Sequence, residues 1–306
     1  MNRTRLALAA SFTIILLMSL SSLVHAMSST SYEIRSDSFG TGGSDTSSSA
    51  SFQLRSSISV PAGGESSSSS FNLNAGYREK VFDQFATFQV LIQDRASQVA
   101  ATALVGETVT VTSASGISVD DFIVIIENEG SGQVSAIGQV TSIVVSDVTV
   151  DFLTDSGSTP IIDGSNDVVY VLDSSSVSLG ILDTAVVSTG TIGWEVNVDN
   201  DEGYSVYVFE DDDLEQSGGI PIPDVTDGSV SAGSSEYGAR SSDSTLSAST
   251  FDTEETAFTS TLTQVGSRSA GDFKSRDFLT MKVAIDSSQD DGSYSHTLTF
   301  IYAGDY

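Results

Sequence analysis

Carboxylates are the surplus from which this chain could build chemistry. Asp199, Asp201 and Glu202 lie in a five-residue stretch closing on Gly203, and Asp211 and Asp213 belong to the run Glu210-Asp211-Asp212-Asp213. Hard cations take about six to eight oxygens, and Asp-x-Asp-x-Gly is a fragment of many Ca²⁺ loops. These five residues are therefore candidate Ca²⁺ ligands, although the spacing is too short for an EF-hand. The competing reading is a set of acidic turns that solvate the rim of a sheet. Two acids about 5–10 Å apart would also suffice for a glycosidase. Such a cleft needs aromatics to stack sugars, and the single tryptophan, Trp194, alternates as a core residue.

Other chemistry finds little material. Without cysteine, and with His296 the only histidine after residue 26, a Cys/His metal site has no ligands. His296 shares a face with Leu298 and Phe300, which reads as a core or rim position rather than a general base. No Gly-x-Ser-x-Gly elbow occurs, and Gly40-Thr41-Gly42-Gly43 lacks the lysine and helix of a phosphate loop. The sequence is expected to encode no enzyme.

Charge narrows the partners. The first 26 residues read as a secretory signal: Arg3 and Arg5, an apolar run over 6–24, and a small-residue cleavage site at Val24-His25-Ala26. An uncleaved anchor is the competing reading, since the run is close to spanning length, and the Ala26 site favours removal. Taking Arg3 and Arg5 from the 12 basic residues leaves 10 against 41 acidic ones, a net charge of −31. That charge disfavours nucleic acid and anionic membranes, because phosphate is neutralised by Lys and Arg. A soluble, secreted or cell-surface protein is expected. Lacking disulfides, it must draw its stability from burial.

The elements that would position these groups are strands. Ser, Thr, Val, Gly and Asp dominate, a sheet-and-turn composition. Residues 27–80 form a Ser/Gly-rich repeat: Tyr32-x-Ile34, Phe52-x-Leu54 and Phe71-x-Leu73 recur 20 and 19 residues apart behind serine runs. One strand seed per unit predicts stacked or laddered β-structure that must dock on a neighbour. These six apolar residues are the candidate assembly contacts. A flexible linker is the alternative for so much serine and glycine.

Residues 84–172 read as a small β-barrel, with strands expected over 87–93, 107–112, 121–127, 138–145, 148–152 and 168–172. The 121–127 segment is apolar on both faces and so central. Ser146-Asp147 is expected as a two-residue turn. Residues 173–306 read as an antiparallel β-sandwich of Greek-key or jelly-roll type. Its strands are expected over 176–182, 190–198, 204–209, 277–285 and 293–302. The 190–198 and 204–209 strands are expected to pair as a hairpin, Thr280 and Lys282 to face out, and residues 210–271 to form an irregular polar region.

Three resemblances follow. The pattern SYxIxSDSxxxGG…SxSFxL…SSSSFxLxAGY with GWEVNVDNDEGYSVYV resembles a family of uncharacterised secreted Ser-rich-repeat β-sandwich proteins of uncultivated bacteria. It covers residues 32–77 and 194–208 and implies that the barrel is an insertion. The segment 291–300 is similar to the last strand of secreted pilin-like domains of the spore-coat-U type. Residues 116–124 resemble the sVGDxVxI strand of SH3-like barrels, with Asp120 where that pattern has glycine. No resemblance implies a catalytic residue.

Two functions emerge. The first is a non-enzymatic structural component of the cell surface or an extracellular filament, self-associating or joining other surface proteins by β-strand addition. The alternative is an adhesin or Ca²⁺-assisted carbohydrate-binding module using the acidic loops.

Overall fold

The computed structural model describes residues 85–216 and 219–305, together with the backbone of six short strands between residues 28 and 75. The chain is all-β, and every strand pairing is antiparallel. Among the described residues no helix is long and apolar enough to cross a membrane. The chain divides into residues 1–83 and residues 84–306. The expected signal, residues 1–26, lies outside the described residues.

In the first unit β1 (Ser28–Ser29) pairs with β2 (Tyr32–Glu33), β3 (Gly42–Ser49) with β4 (Phe52–Ile58), and β5 (Gly64–Ser67) with β6 (Asn72–Ala75). Each pair is a separate two-stranded sheet. The seeds at Tyr32, Phe52, Leu54 and Leu73 thus lie in strands, each paired with the serine- or glycine-rich stretch just before it. Ile34 and Phe71 fall outside the described residues. An isolated two-stranded ribbon is marginal in water, so these hairpins gain from any further strand.

The second unit contains a closed barrel and a sandwich. The barrel strands are β8 (Val99–Val105), β9 (Thr108–Val111), β10 (Phe122–Glu127), β11 (Val134–Val144), β12 (Asp147–Val150) and β14 (Val168–Val171), and β13 (Thr154–Asp155) adds to β11. Their order, β10-β14-β8-β9-β12-β11, closes because β11 pairs back onto β10. Period-two alternation sends Val109 and Val111, Ile123 and Ile125, Val148 and Val150, and Val169 and Val171 into the barrel. The opposite face of β10 and β14 is apolar for a different reason. Phe122, Val124, Ile126 and Tyr170 pack with Leu91 and Phe278 of the sandwich. Asp120 itself adopts φ +76°, the left-handed conformation that glycine supplies in the resembling pattern. The two-residue turn after β11 is Val145-Ser146, one residue earlier than expected, because Val144 pairs with Asp147.

One sandwich sheet has the order β17-β19-β15-β7, formed by β17 (Glu236–Ser241), β19 (Ser275–Ala284), β15 (Ser188–Val198) and β7 (Ala86–Ile92). The other has the order β18-β16-β20, formed by β18 (Thr263–Arg268), β16 (Tyr204–Glu210) and β20 (Leu298–Gly304). Trp194, Val196 and Val198 meet Tyr204, Val206, Val208, Phe251, Phe258 and Leu279 between them.

Several expectations are corrected here. The strand near 87–93 is not part of the barrel: β7 pairs with β15, so the barrel is spliced between two neighbouring strands of one sandwich sheet. No strand forms over 176–182. β15 and β16 are not a hairpin but lie in opposite sheets, since both rows of apolar residues face one core. Thr280 and Lys282 are buried, with Lys282 paired to Glu255 and donating to the Ser131 carbonyl. The 210–271 region supplies two strands and the core rings of Phe251 and Phe258.

The barrel and sandwich are clamped by Arg276 of β19, whose side chain is fully buried. Its Nη1 and Nη2 donate to Asp151 Oδ1 (2.7 Å) and Oδ2 (2.9 Å), and its Nε to Glu195 Oε2 (2.7 Å). The guanidinium also lies over the rings of Phe122 and Phe152. Such a planar, two-pronged contact fixes orientation as well as charge.

Candidate functional site

The two acidic clusters do not converge. Asp199–Gly203 precedes β16 and Glu210–Asp213 follows from its far end, about 20 Å away at ~3.3 Å per residue. In the first cluster Asp199 Oδ1 accepts from Phe85 N (2.7 Å), while Asp201 and Glu202 are exposed. The residue that organises this turn is the buried Asn200, which accepts from Gly203 N and donates to the carbonyls of Gly203 and Asp305. It is a corner between sheets.

The second cluster gathers differently. Asp211 Oδ1 accepts from Thr297 N (2.7 Å), which holds its carboxyl below the usual range and ties it to the chain entering β20. Asp213 instead meets Glu210 and Asp224, each offering one carboxylate oxygen within 4.8 Å of the others. Asp224 is brought in by the bridge between Leu214 and Ile222 and by its own bridge to Tyr237 on β17. Glu210 is 4 % exposed, Asp224 half-buried and Asp213 exposed. Glu210 Oε2 and Asp224 Oδ1 are buried without a hydrogen-bond donor among the described residues. Burial, then the charges of Asp224 and Asp213, push the Glu210 carboxyl up to about 7. Burial and Asp213 push Asp224 up to about 6.

His296 walls this cluster. It packs edge-on against Tyr237 and Phe258, and burial holds it below its ordinary value, so it is neutral at pH 7. Nε2 lies 2.9 Å from Tyr237 Oη, and Nδ1 lies 3.2 Å from both the Asp212 carbonyl and Glu210 Oε2. A neutral ring has one N–H, and the Asp212 carbonyl is the partner with hydrogen-bond geometry. Sequence reasoning put Asp213 in a candidate site but left Asp224 among the turns. Only the fold brings together carboxylates 11 positions apart.

The sheet edges form the second feature. β17 carries Glu236 and Arg240, and its outer side is covered by bridges from Asp224 and Thr256. β18 is bulged opposite β16 and ends in Arg268. Gln264 O and Val265 O accept from Ser249 and Ser241 hydroxyls, and Ser267 N donates to Asp243. β7 and β20 are the other two edges. Each runs seven residues without charge or proline, in unbroken register with its neighbour. Among the described residues β20 pairs on one side only, and β7 does so except at its last residue, Ile92, which also bridges Asp173. They lie on the same flank, where Phe88 stacks on Tyr302 at 6.0 Å. Val90 and Ile301 are exposed there.

No protein-family model, curated protein or solved structure matches the chain.

Proposed function

We propose that this protein is an exported, non-catalytic structural component that joins further copies of itself, or other surface proteins, by β-strand addition. The observation that supports this is the asymmetry of the sandwich edges. Sheets guard an edge with charge, proline, a bulge or a covering segment. The β17/β18 flank has charges, bridges and a bulge, whereas among the described residues β7 and β20 carry no charge, proline or bulge, and the one bridge is at the last residue of β7, Ile92, to Asp173. An incoming strand would gain main-chain hydrogen bonds on this flank and add side-chain contacts at alternate positions. The serine-bordered strands of residues 27–80 are the donors this reading favours, since their two-stranded ribbons gain most from a third strand.

The test is the assembly state of the chain with and without residues 27–80, by size-exclusion chromatography with light scattering and negative-stain imaging. Assemblies from the longer protein and monomers from the truncated one are expected. Monomers in both would contradict the reading.

A further inference from the structure

Three side chains at the end of β16 pose a problem that the fold leaves unsolved. Glu210, Asp213 and Asp224 bring three carboxyl groups together, and two of their oxygens are buried without a donor among the described residues. A buried carboxylate is normally paired, hydrogen-bonded or metal-bound. Here the nearest nitrogen, His296 Nδ1, is directed at the Asp212 carbonyl, and its ring is oriented from the far side by Tyr237. The cluster therefore has a buried acceptor, Glu210 Oε2, that has the His296 ring 3.2 Å away but no hydrogen-bond donor among the described residues, and a cation held by the three carboxylates would satisfy it.

The dimensions select among cations. Ca²⁺ binds oxygen at about 2.3–2.6 Å, so two of its ligands stand at most ~5 Å apart. The three carboxylate oxygens lie within 4.8 Å of one another, inside that limit. Mg²⁺, with strict octahedral demands, usually keeps several waters and is held by only one or two carboxylates. Three carboxylates offer up to six oxygens, and the exposed side of Asp213 leaves room for water. All are hard oxygen ligands, which suit Ca²⁺ rather than a softer transition metal.

We propose that Glu210, Asp213 and Asp224 bind one Ca²⁺, fastening the turn that leaves β16 to the strand-like segment lying along β17. This site differs from the Asp199–Gly203 loop, whose only buried polar side chain, Asn200, is satisfied by backbone. It does not depend on strand addition.

The test is thermal unfolding and isothermal titration of the full chain with CaCl₂ after EDTA treatment. A saturable rise in Tm, reversed by EDTA and weaker with MgCl₂, is expected. Asp213→Asn alters an exposed side chain and leaves folding intact, and it should weaken Ca²⁺ binding at least tenfold. Asp224→Asn should abolish the Tm shift, and Asp201→Asn should leave it unchanged. No Ca²⁺-dependent shift in a folded protein would overturn the proposal. So would a shift that survives in Asp213→Asn and Asp224→Asn but disappears in Asp201→Asn.

Discussion

Asp151 and Arg276 show how single residues carry the junction between barrel and sandwich. Burial alone would raise the Asp151 carboxyl, but the Arg276 guanidinium and the amides of Gln139 and Phe152 hold it down to about 2. Because the folded value is depressed from the ordinary 3.8, its contribution is fully present above about pH 4 and is lost as pH falls toward 2. The difference corresponds to about 2 kcal/mol. Chemical denaturation of the wild type and Asp151→Asn should therefore differ most at neutral pH and converge near pH 2. A constant difference between pH 2 and 7 would contradict the assignment. Arg276 lies just before the strand expected over 277–285, so the sequence did not single it out. Nothing local says that its partners lie 125 and 81 positions away.

At the scale of elements, alternation fixed which face of a strand is apolar but not what covers that face. The 121–127 strand was recognisable as buried on both sides because the five consecutive positions Phe122–Ile126 are all apolar. Its two coverings, barrel interior and sandwich, became visible only in the fold. The same limit explains why β15 and β16 looked like a hairpin. Their apolar rows and the glycine-closed loop fit either a tight turn or a crossing between sheets. β8 escaped notice because its alanines give a weak alternation. The crossing rests on Gly203, whose φ is +85° and where a Cβ would overlap the carbonyl oxygen of Arg268. Gly203→Ala is expected to lose about 2–3 kcal/mol of stability, from the backbone conformation and the clash together. Gly106, at φ +59° with open space around it, is the control: Gly106→Ala should lose only about 1 kcal/mol. Equal losses in urea denaturation would show that the Arg268 contact does not matter.

At the scale of the molecule, the all-β class was legible from composition and turn residues, whereas the assembly edges were not. Edge status depends on strand order, and β7 and β20 come from opposite ends of the second unit. With a net charge of −29 over the full sequence, copies repel at long range. Salt near 0.15 M confines that repulsion to about 8 Å, so main-chain pairing at an uncharged edge can prevail at contact. The central claim is that the β7/β20 flank receives strands. Hydrogen exchange of the full chain, measured at rising protein concentration in 0.15 M salt, tests it most directly. Amides of Ala86–Ile92 and Leu298–Gly304 should gain protection with concentration while those of Glu236–Ser241 and Thr263–Arg268 stay unchanged; concentration-independent exchange at β7 and β20 would contradict it.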